Sequence, residues 1–494
     1  MHREYHRRQA SPSGVAWLVS AWTCWGALGI AASVGAEPRP NIVFILADDL
    51  GWNALGCYGN QIVPTPHLDR LAAEGMRFTD AYVLSQCLPT RAALFSGQDG
   101  ARTRLTSVET KSPIYAPLIS PGRADSLPPT CYTLFEMLRD AGYATGMSGK
   151  WHLGPAYTAE QLLSRHGLAY FHAYGLEFVG ACRSPVVDKQ VTAITEDLLH
   201  FIEQAHGRPF MAYLAHHSVH TPFEVPEGLV AKYEAKGFRR SRDPDGVFAE
   251  RVSADYLAMI EQLDHSVGRV TAKLDELGLA DQTLVVFLSD NGGLTRVWDN
   301  APLRGGKGQL YEGGIRVPMI VRWPRRVPAG AVCPTPVHVV DFFPTFMELA
   351  GGKLPSEQVL DGVSLLPLLT QSGIPARQAI YSHHPEYVVA FAKTPCSMIR
   401  KGDYKLIHYF GDYLDPTDCE PKPGILSGRF VLGMRNELFH LTEDLGEQQD
   451  LAASRPEKVA ELMADLQTWW KETDAQFPHP NPQMDRSQWI WNQD

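Results

Sequence analysis

Four short apolar runs in this chain each stop at residues that can bind or move charge, and that pattern restricts the fold more than any other feature. Residues 41–47 run into Asp48 and Asp49, and residues 143–147 lead to Lys150 and His152. Residues 209–215 lead to His216, His217 and His220, and residues 283–289 to Asp290 and Asn291. A fifth run, 317–322, has no ligand set at its end. A strand that is apolar at successive positions has both faces covered, which suits a parallel sheet between helices. Helical periodicity fills the intervals. Residues 66–74 put Leu68, Leu71 and Ala72 on one face, and 133–141 put Leu134, Met137 and Leu138 there. Residues 254–277 align Leu257, Ile260, Leu263, Val267 and Val270. Alternating β and α units predict a doubly wound α/β domain. Ligands of such sheets bind beyond the carboxyl ends of the strands. Acids, an amide, a lysine and histidines at four strand ends therefore predict one shared site.

The first 36 residues read as an export signal. Arg3, Arg7 and Arg8 precede a mostly apolar stretch, and Val34, Gly35 and Ala36 offer a cleavage site before Glu37. The stretch is interrupted at residues 22–26 and is short for a membrane span. The expectation is an exported chain, periplasmic or extracellular, without stable membrane insertion. Losing the leader makes the net charge two units more negative than the −10 of the whole chain, which argues against a nucleic-acid partner. Residues 37–375 are expected to form the α/β domain and 376–494 a smaller α+β subdomain. In the latter, 397–409 reads as a hairpin turning at 401–403, and 436–441 as another strand. A helix is expected to open with a capping box from Ser454 to Glu457. Its Trp469 and Trp470 belong in the core. Eight cysteines are too few for a disulfide scaffold. Cys57, Cys131, Cys182, Cys333, Cys396 and Cys419 read as structural, with any pairing left open.

Adjacent Asp48 and Asp49 repel each other at a strand end that needs no acid, and a bound cation removes that penalty. Asp290 and Asn291 add a carboxylate and an amide oxygen. Each cluster alone is also compatible with a solvated turn. Together they make an oxygen donor set, suited to Ca²⁺ or Mg²⁺ rather than zinc. His216, His217 and His220 have near-helical spacing but precede Thr221 and Pro222, so a loop is expected, with His216 and His217 as packing residues or as supports behind the site. Around Lys307, Ala301 and Gly308 break the spacing of a phosphate-binding loop.

Cys87-Leu88-Pro89-Thr90-Arg91 resembles the sulfatase family signature, in which this cysteine is oxidised to formylglycine by a formylglycine-generating enzyme. The family usually has Ser at the position of Thr90. Residues 39–49, 149–154, 283–293, 302–307, 312–318 and 437–451 are similar to further blocks of that family, in family order. Residues 98–126 depart from the pattern and are expected to shape substrate choice. The resemblance implies an alkaline-phosphatase-like sheet sandwiched by helices, with a smaller α+β C-terminal subdomain. It implies Ca²⁺, with Mg²⁺ the second choice, held by Asp48, Asp49, Asp290, Asn291 and modified Cys87. Arg91 would hold the formylglycine, Lys150 and His152 would flank it and the sulfate, His220 would contact the ester side, and Lys307 would bind sulfate oxygens. A hydrated aldehyde has two hydroxyls on one carbon: one attacks sulfur, and deprotonating the other expels sulfate. The substrate class implied is sulfate monoesters of sugars or polysaccharides, or aryl sulfates. The alternatives are a phosphonate or phosphate ester hydrolase with the same modified residue, and an inactive glycan-binding relative.

Overall fold

In the computed structural model the apolar run 41–47 becomes β1 (Asn41–Ala47), every residue of it buried. The residues described are 39–108, 116–128, 130–153, 167–172, 187–241, 251–388, 391, 394–411, 413–415, 429–431 and 433–484. The leader expected at residues 1–36 lies outside them. No helix among the described residues is long and apolar enough to cross a membrane.

The large sheet adds β2 (Met76–Tyr82), β3 (Ala144–Gly149), β4 (Tyr170–His172), β5 (Phe210–Ala215), β6 (Thr283–Ser289), β7 (Arg316–Arg322), β8 (Ala331–Cys333) and β9 (Val337–His338). Their order among the described residues is β9-β2-β7-β6-β1-β5-β3-β4, with β8 beside β2. The strands β6, β1, β5, β3 and β4 are parallel neighbours, so the four ligand-bearing strand ends lie side by side. The expectation of a parallel sheet fails on the other flank, where β7 runs antiparallel to β6 and to β2. The reason is local. After β6 the chain stays at the same end of the sheet, where Gly292 N–H donates to Gly314 at 3.0 Å, and β7 can only run back. Its carboxyl end, Arg322, pairs beside Val285, remote from the ligand-bearing ends. That is why the fifth run carries no ligand set.

Period-2 alternation splits β1 between two cores. Ile42, Phe44 and Leu46 pack towards α2 (Cys87–Ser96), α3 (Leu134–Asp140) and α6 (Phe342–Ala350). Val43, Ile45 and Ala47 pack towards α1 (Pro66–Ala73), α4 (Val191–Ala205) and α5 (Ala254–Glu276). Helices thus cover both faces, and each fully buried Ile, Leu or Phe contributes roughly 1.5–3 kcal/mol.

A second, antiparallel sheet has the order β10 (Ile380–His384), β11 (Cys396–Lys401), β12 (Tyr404–Tyr409) and β13 (Arg435–His440). The β11–β12 hairpin turns at Gly402 with φ +60°. Helix α7 (Pro456–Glu472) lies against this sheet: Leu462 and Leu466 join Ile399, Leu406 and Leu438 in one cluster. Trp469 stacks on Tyr381 at 4.8 Å, which is the core placement expected for it. The expected capping box at Ser454 is absent. Arg455 is the N-cap and Pro456 the first helical residue, so Glu457 stands one place too early to reach back, and the Ser454 hydroxyl donates to Leu451 instead. A true capping box opens α3, between Thr133 and Glu136. Cys57, Cys131 and Cys333 are free thiols. Cys182 and Cys419 lie outside the described residues.

Charge joins the two sheets. Lys405, on β12, sits between Glu312 Oε1 at 3.0 Å and Glu447 Oε1 at 2.7 Å, all three without solvent exposure. Glu312 also accepts from Tyr82 at 2.6 Å and Arg316 at 3.2 Å. Replacing Lys405 by Met removes the cation from buried Glu447 and one of the partners from Glu312. The urea midpoint should fall by the equivalent of about 3–5 kcal/mol, and the double variant Lys405→Met/Glu447→Gln should recover part of it.

Candidate active site

The strand ends are tied together before any side chain is considered. Asp290 N–H donates to Ala47 at 3.0 Å, Lys150 N–H to Ala215 at 2.8 Å, and Asp48 N–H to Ser218 at 2.9 Å. The loops that leave these strands turn sharply. Asp49 has φ +64° and His152 φ +59°, a region that short polar side chains enter most easily. Gly149 has φ +107°, and a Cβ there would stand 1.9 Å from the Ala215 carbonyl oxygen, so only glycine lets β3 and β5 end together.

Cys87 is the first residue of α2, and all ten residues of that helix are buried. The Thr90 hydroxyl accepts from Leu84 N–H at 3.0 Å and donates to Leu84 O at 3.1 Å, pinning the turn that delivers Cys87. Serine could make the same two bonds. Arg91 lies one helical turn on, on the same side as Cys87.

Three carboxylates and three cations then meet in the protein interior. The Arg91 guanidinium donates to Asp290 Oδ2 at 2.7 and 3.1 Å and to the Lys150 carbonyl at 2.9 Å, with Asp48 Oδ2 at 3.8 Å. The Lys150 ammonium donates to Asp48 Oδ2. Lys307 Nζ reaches Asp49 at 2.7 and 2.8 Å, and His220 Nε2 lies 3.7 Å from Asp49 Oδ2. Burial alone would push the Asp48 carboxyl up, but Lys150, His220, Arg91 and Lys307 hold it well below the usual range. Asp290 goes the other way, up to about 7, because burial and the Asp48 charge outweigh Arg91. Burial, reinforced by Lys307, brings His220 down to about 4, and burial with Lys150 and Arg91 takes His152 well below its ordinary value. Burial pushes the Cys87 thiol up, against Lys150 and Lys307, so the thiol stays protonated at neutral pH.

The residues fit a hard divalent cation. Ligand atoms of Asp48, Cys87 and Asp290 lie within 4.8 Å of one another, as do those of Asp48, Asp49 and His220. Asp48 Oδ1 and Asn291 Oδ1 are buried with no hydrogen-bond partner. The Asn291 amide nitrogen donates to Asp49 at 2.8 Å and to Gly292 at 2.9 Å, which leaves its oxygen as the open acceptor. Two orphaned oxygens beside three carboxylates are what an oxygen-binding ion would satisfy.

Every candidate site residue is among the described residues: Asp48, Asp49, Cys87, Arg91, Lys150, His152, His220, Asp290, Asn291 and Lys307. Arg91 grips Asp290 and the Lys150 backbone, a wider role than holding one neighbour. Sequence reasoning passed over Tyr213, buried on β5 and interacting with Arg91. His217, read as a packing residue or a support behind the site, has a buried Nε2 with no hydrogen-bond partner. The alternation of β5 could have flagged Tyr213, a phenol on a core-facing position. Arg240, in a stretch with Arg239 and Arg242, pairs with Glu227 and Glu234; Arg242 lies outside the described residues.

A family model described as sulfatase matches residues 40–352. The chain belongs to the sulfatase family. A second model, the C-terminal region of N-sulphoglucosamine sulphohydrolase, matches residues 306–420. This sulfatase is 30% identical to a sulfatase of Formosa agariphila over 85% of its own length and 86% of the relative's. It is 32% identical to human arylsulfatase A, covering 91% of each chain. The crystal structure of Ps i-CgsB in complex with k-i-k-neocarrahexaose superposes with a TM-score of 0.70 at 25% identity, over 91% of this chain and 96% of that one.

The buried histidines set an acid limit for the sulfatase. Burial holds His216 and His217 near 3, and His220 near 4. The unfolded chain takes up these protons as pH falls through about 6.5, whereas the folded one does not until about 4 or below. The histidines' contribution to stability is therefore full above about 6.5 and is lost as pH falls towards 4. The urea midpoint of the wild type relative to His216→Asn, measured with a chelator, should fall steadily from about pH 6.5 to about 4.

Proposed function

We propose that this sulfatase is an exported hydrolase of sulfate monoesters, acting on a sulfated carbohydrate with Ca²⁺ and with Cys87 converted to formylglycine by a formylglycine-generating enzyme. The observation that carries this reading is the charge balance around Cys87. Three carboxylates face three cations and hold them in ion pairs, so the protein alone offers an incoming anion little free positive charge. A divalent cation on Asp48, Asp49, Asp290, Asn291 and residue 87 would supply two positive charges for a sulfate group. Formylglycine, as its hydrate, would supply the oxygen nucleophile that a neutral buried thiol does not.

The chain's own residues account for the remaining needs. Lys150, Lys307 and Arg91 supply preorganised positive charge in a dry site, where it counts for far more than in water. His220 contacts the Thr221 carbonyl through Nδ1. A carbonyl only accepts, so Nδ1 carries the proton and Nε2 presents its lone pair. Nε2 is thus where a proton is picked up and returned to the leaving oxygen. His152, buried with neither ring nitrogen engaged, is the base for the residue-87 hydroxyl. The carbohydrate assignment draws on Ps i-CgsB, whose structure was solved with an oligosaccharide. Thr106, in the segment 98–126 expected to shape substrate choice, supports that reading by its link to the Cys87 turn. There His384 Nδ1 lies 2.9 Å from Thr106 O and its Nε2 lies 3.4 Å from Ser85 Oγ, two residues before Cys87.

Sulfate release should be assayed on a panel of sulfated sugars and an aryl sulfate, alongside matched phosphate and phosphonate esters. Intact-peptide mass at position 87 should be recorded on the same sample. The expected result is a peptide lighter by the exchange of thiol for carbonyl, and turnover of sulfate esters well ahead of phosphorus esters. Preferential turnover of a phosphonate would overturn the substrate class. Sugar binding without hydrolysis by converted, Ca²⁺-loaded protein would favour the inactive relative. Asp48→Asn and Asp290→Asn should each weaken calorimetric Ca²⁺ binding, and Lys150→Ala should lower kcat by about 10²-fold or more.

A further inference from the structure

Lys307 lies on the loop between β6 and β7, and its ammonium is 95% shielded from solvent with the rest of the residue. A lysine stem has four flexible carbons, so its charge is useful at one place only if something restricts it. Asp49 supplies one restraint. A second comes from the far part of the chain: Lys307 Nζ lies over the Phe391 ring, 5.5 Å from its centroid, within range of a cation–π attraction.

The contact is built into both backbones. Gln309 Nε2 donates to the Phe391 carbonyl at 3.1 Å, while Gln309 Oε1 accepts from Gly306 N–H at 3.1 Å. One side chain therefore clamps Phe391 to the loop that carries Lys307. Gly308 has φ +88°, and a Cβ there would lie 2.4 Å from Phe391 Cβ, so the loop meets the phenylalanine where no side chain fits. Phe391 N–H closes a turn onto Val388 at 3.1 Å.

We infer that Phe391 is a positioning residue, whose ring fixes the Lys307 ammonium for sulfate. This rests on the reading that Lys307 binds sulfate oxygens. The test compares Phe391→Leu, which keeps apolar bulk and removes the π face, with Phe391→Tyr and Phe391→Trp, which keep it. Inorganic sulfate is titrated calorimetrically into each Ca²⁺-loaded protein, KM and kcat are measured on a sulfate ester, and melting temperatures are recorded. The leucine variant should bind sulfate and substrate about five-fold or more weakly, with an unchanged melting temperature, and Tyr or Trp should restore affinity to within about two-fold. On a Lys307→Met background, Phe391→Leu should have no further effect. Wild-type sulfate affinity in the leucine variant, equal losses in all three variants, or full additivity with Lys307→Met would each overturn the inference. Sulfate binding by a wild-type protein that hydrolyses no sulfate ester would defeat the proposed function while the comparison of variants still decides the role of Phe391.

Discussion

Three carboxylates and three cations neutralise one another in the interior of this sulfatase, at the point where four parallel strands end. Any one of these groups left alone there would cost several kcal/mol. None can be removed without exposing its partner, so the six residues act as a unit: Arg91 binds Asp290 and the Lys150 backbone, Lys150 binds Asp48, and Lys307 binds Asp49. The strands fix the acids, helix α2 fixes the arginine beside Cys87, and the loop before β7 brings the second lysine. Chemistry that needs concentrated positive charge is thereby stored in a form the folded protein tolerates.

The same loop links the site to the second sheet. Lys307 N–H is held by Gly293, and Gly313 N–H by Arg304. A few residues later Glu312 accepts from Lys405 of β12 and its N–H is bound by Glu447. The small antiparallel sheet therefore stands behind the segment that presents Lys307, and it also delivers Phe391 to the front of it. This gives a physical role to the 312–318 and 437–451 blocks, which supply none of the candidate site residues.

The site was legible in the sequence because its residues directly follow apolar runs, and a strand end fixes what comes next. That reasoning located Asp48, Asp49, Lys150, Asp290 and Asn291 from periodicity, and the cysteine motif supplied Cys87 and Arg91. It failed where structure is set by distant partners. Strand β2 carries Arg77, Thr79 and Asp80 among its apolar residues, and it reads as a strand only once Asp80 is seen paired with Arg316 and Arg400. The reversal of β7 follows from a loop that stays at one end of the sheet, which no local pattern encodes. Phe391 belongs to no motif and is recognisable only by what lies across from it.

Burial also imposes an order on events. Cys87 is 2% exposed, within a helix whose every residue is buried, and another enzyme could not reach its sulfur in the folded protein. Conversion to formylglycine, as proposed, therefore has to precede folding. At that stage the divalent cation has no assembled donor set to bind, because its donors come from positions about 240 residues apart and meet only in the finished sheet. Folding must then pass through a metal-free site. Three unpaired acids would oppose that closure, whereas acids already matched by Arg91, Lys150 and Lys307 allow it. With the proposed cation and substrate, the lysines would have two successive partners, carboxylates while the chain closes and sulfate oxygens once a cation had taken the acids over.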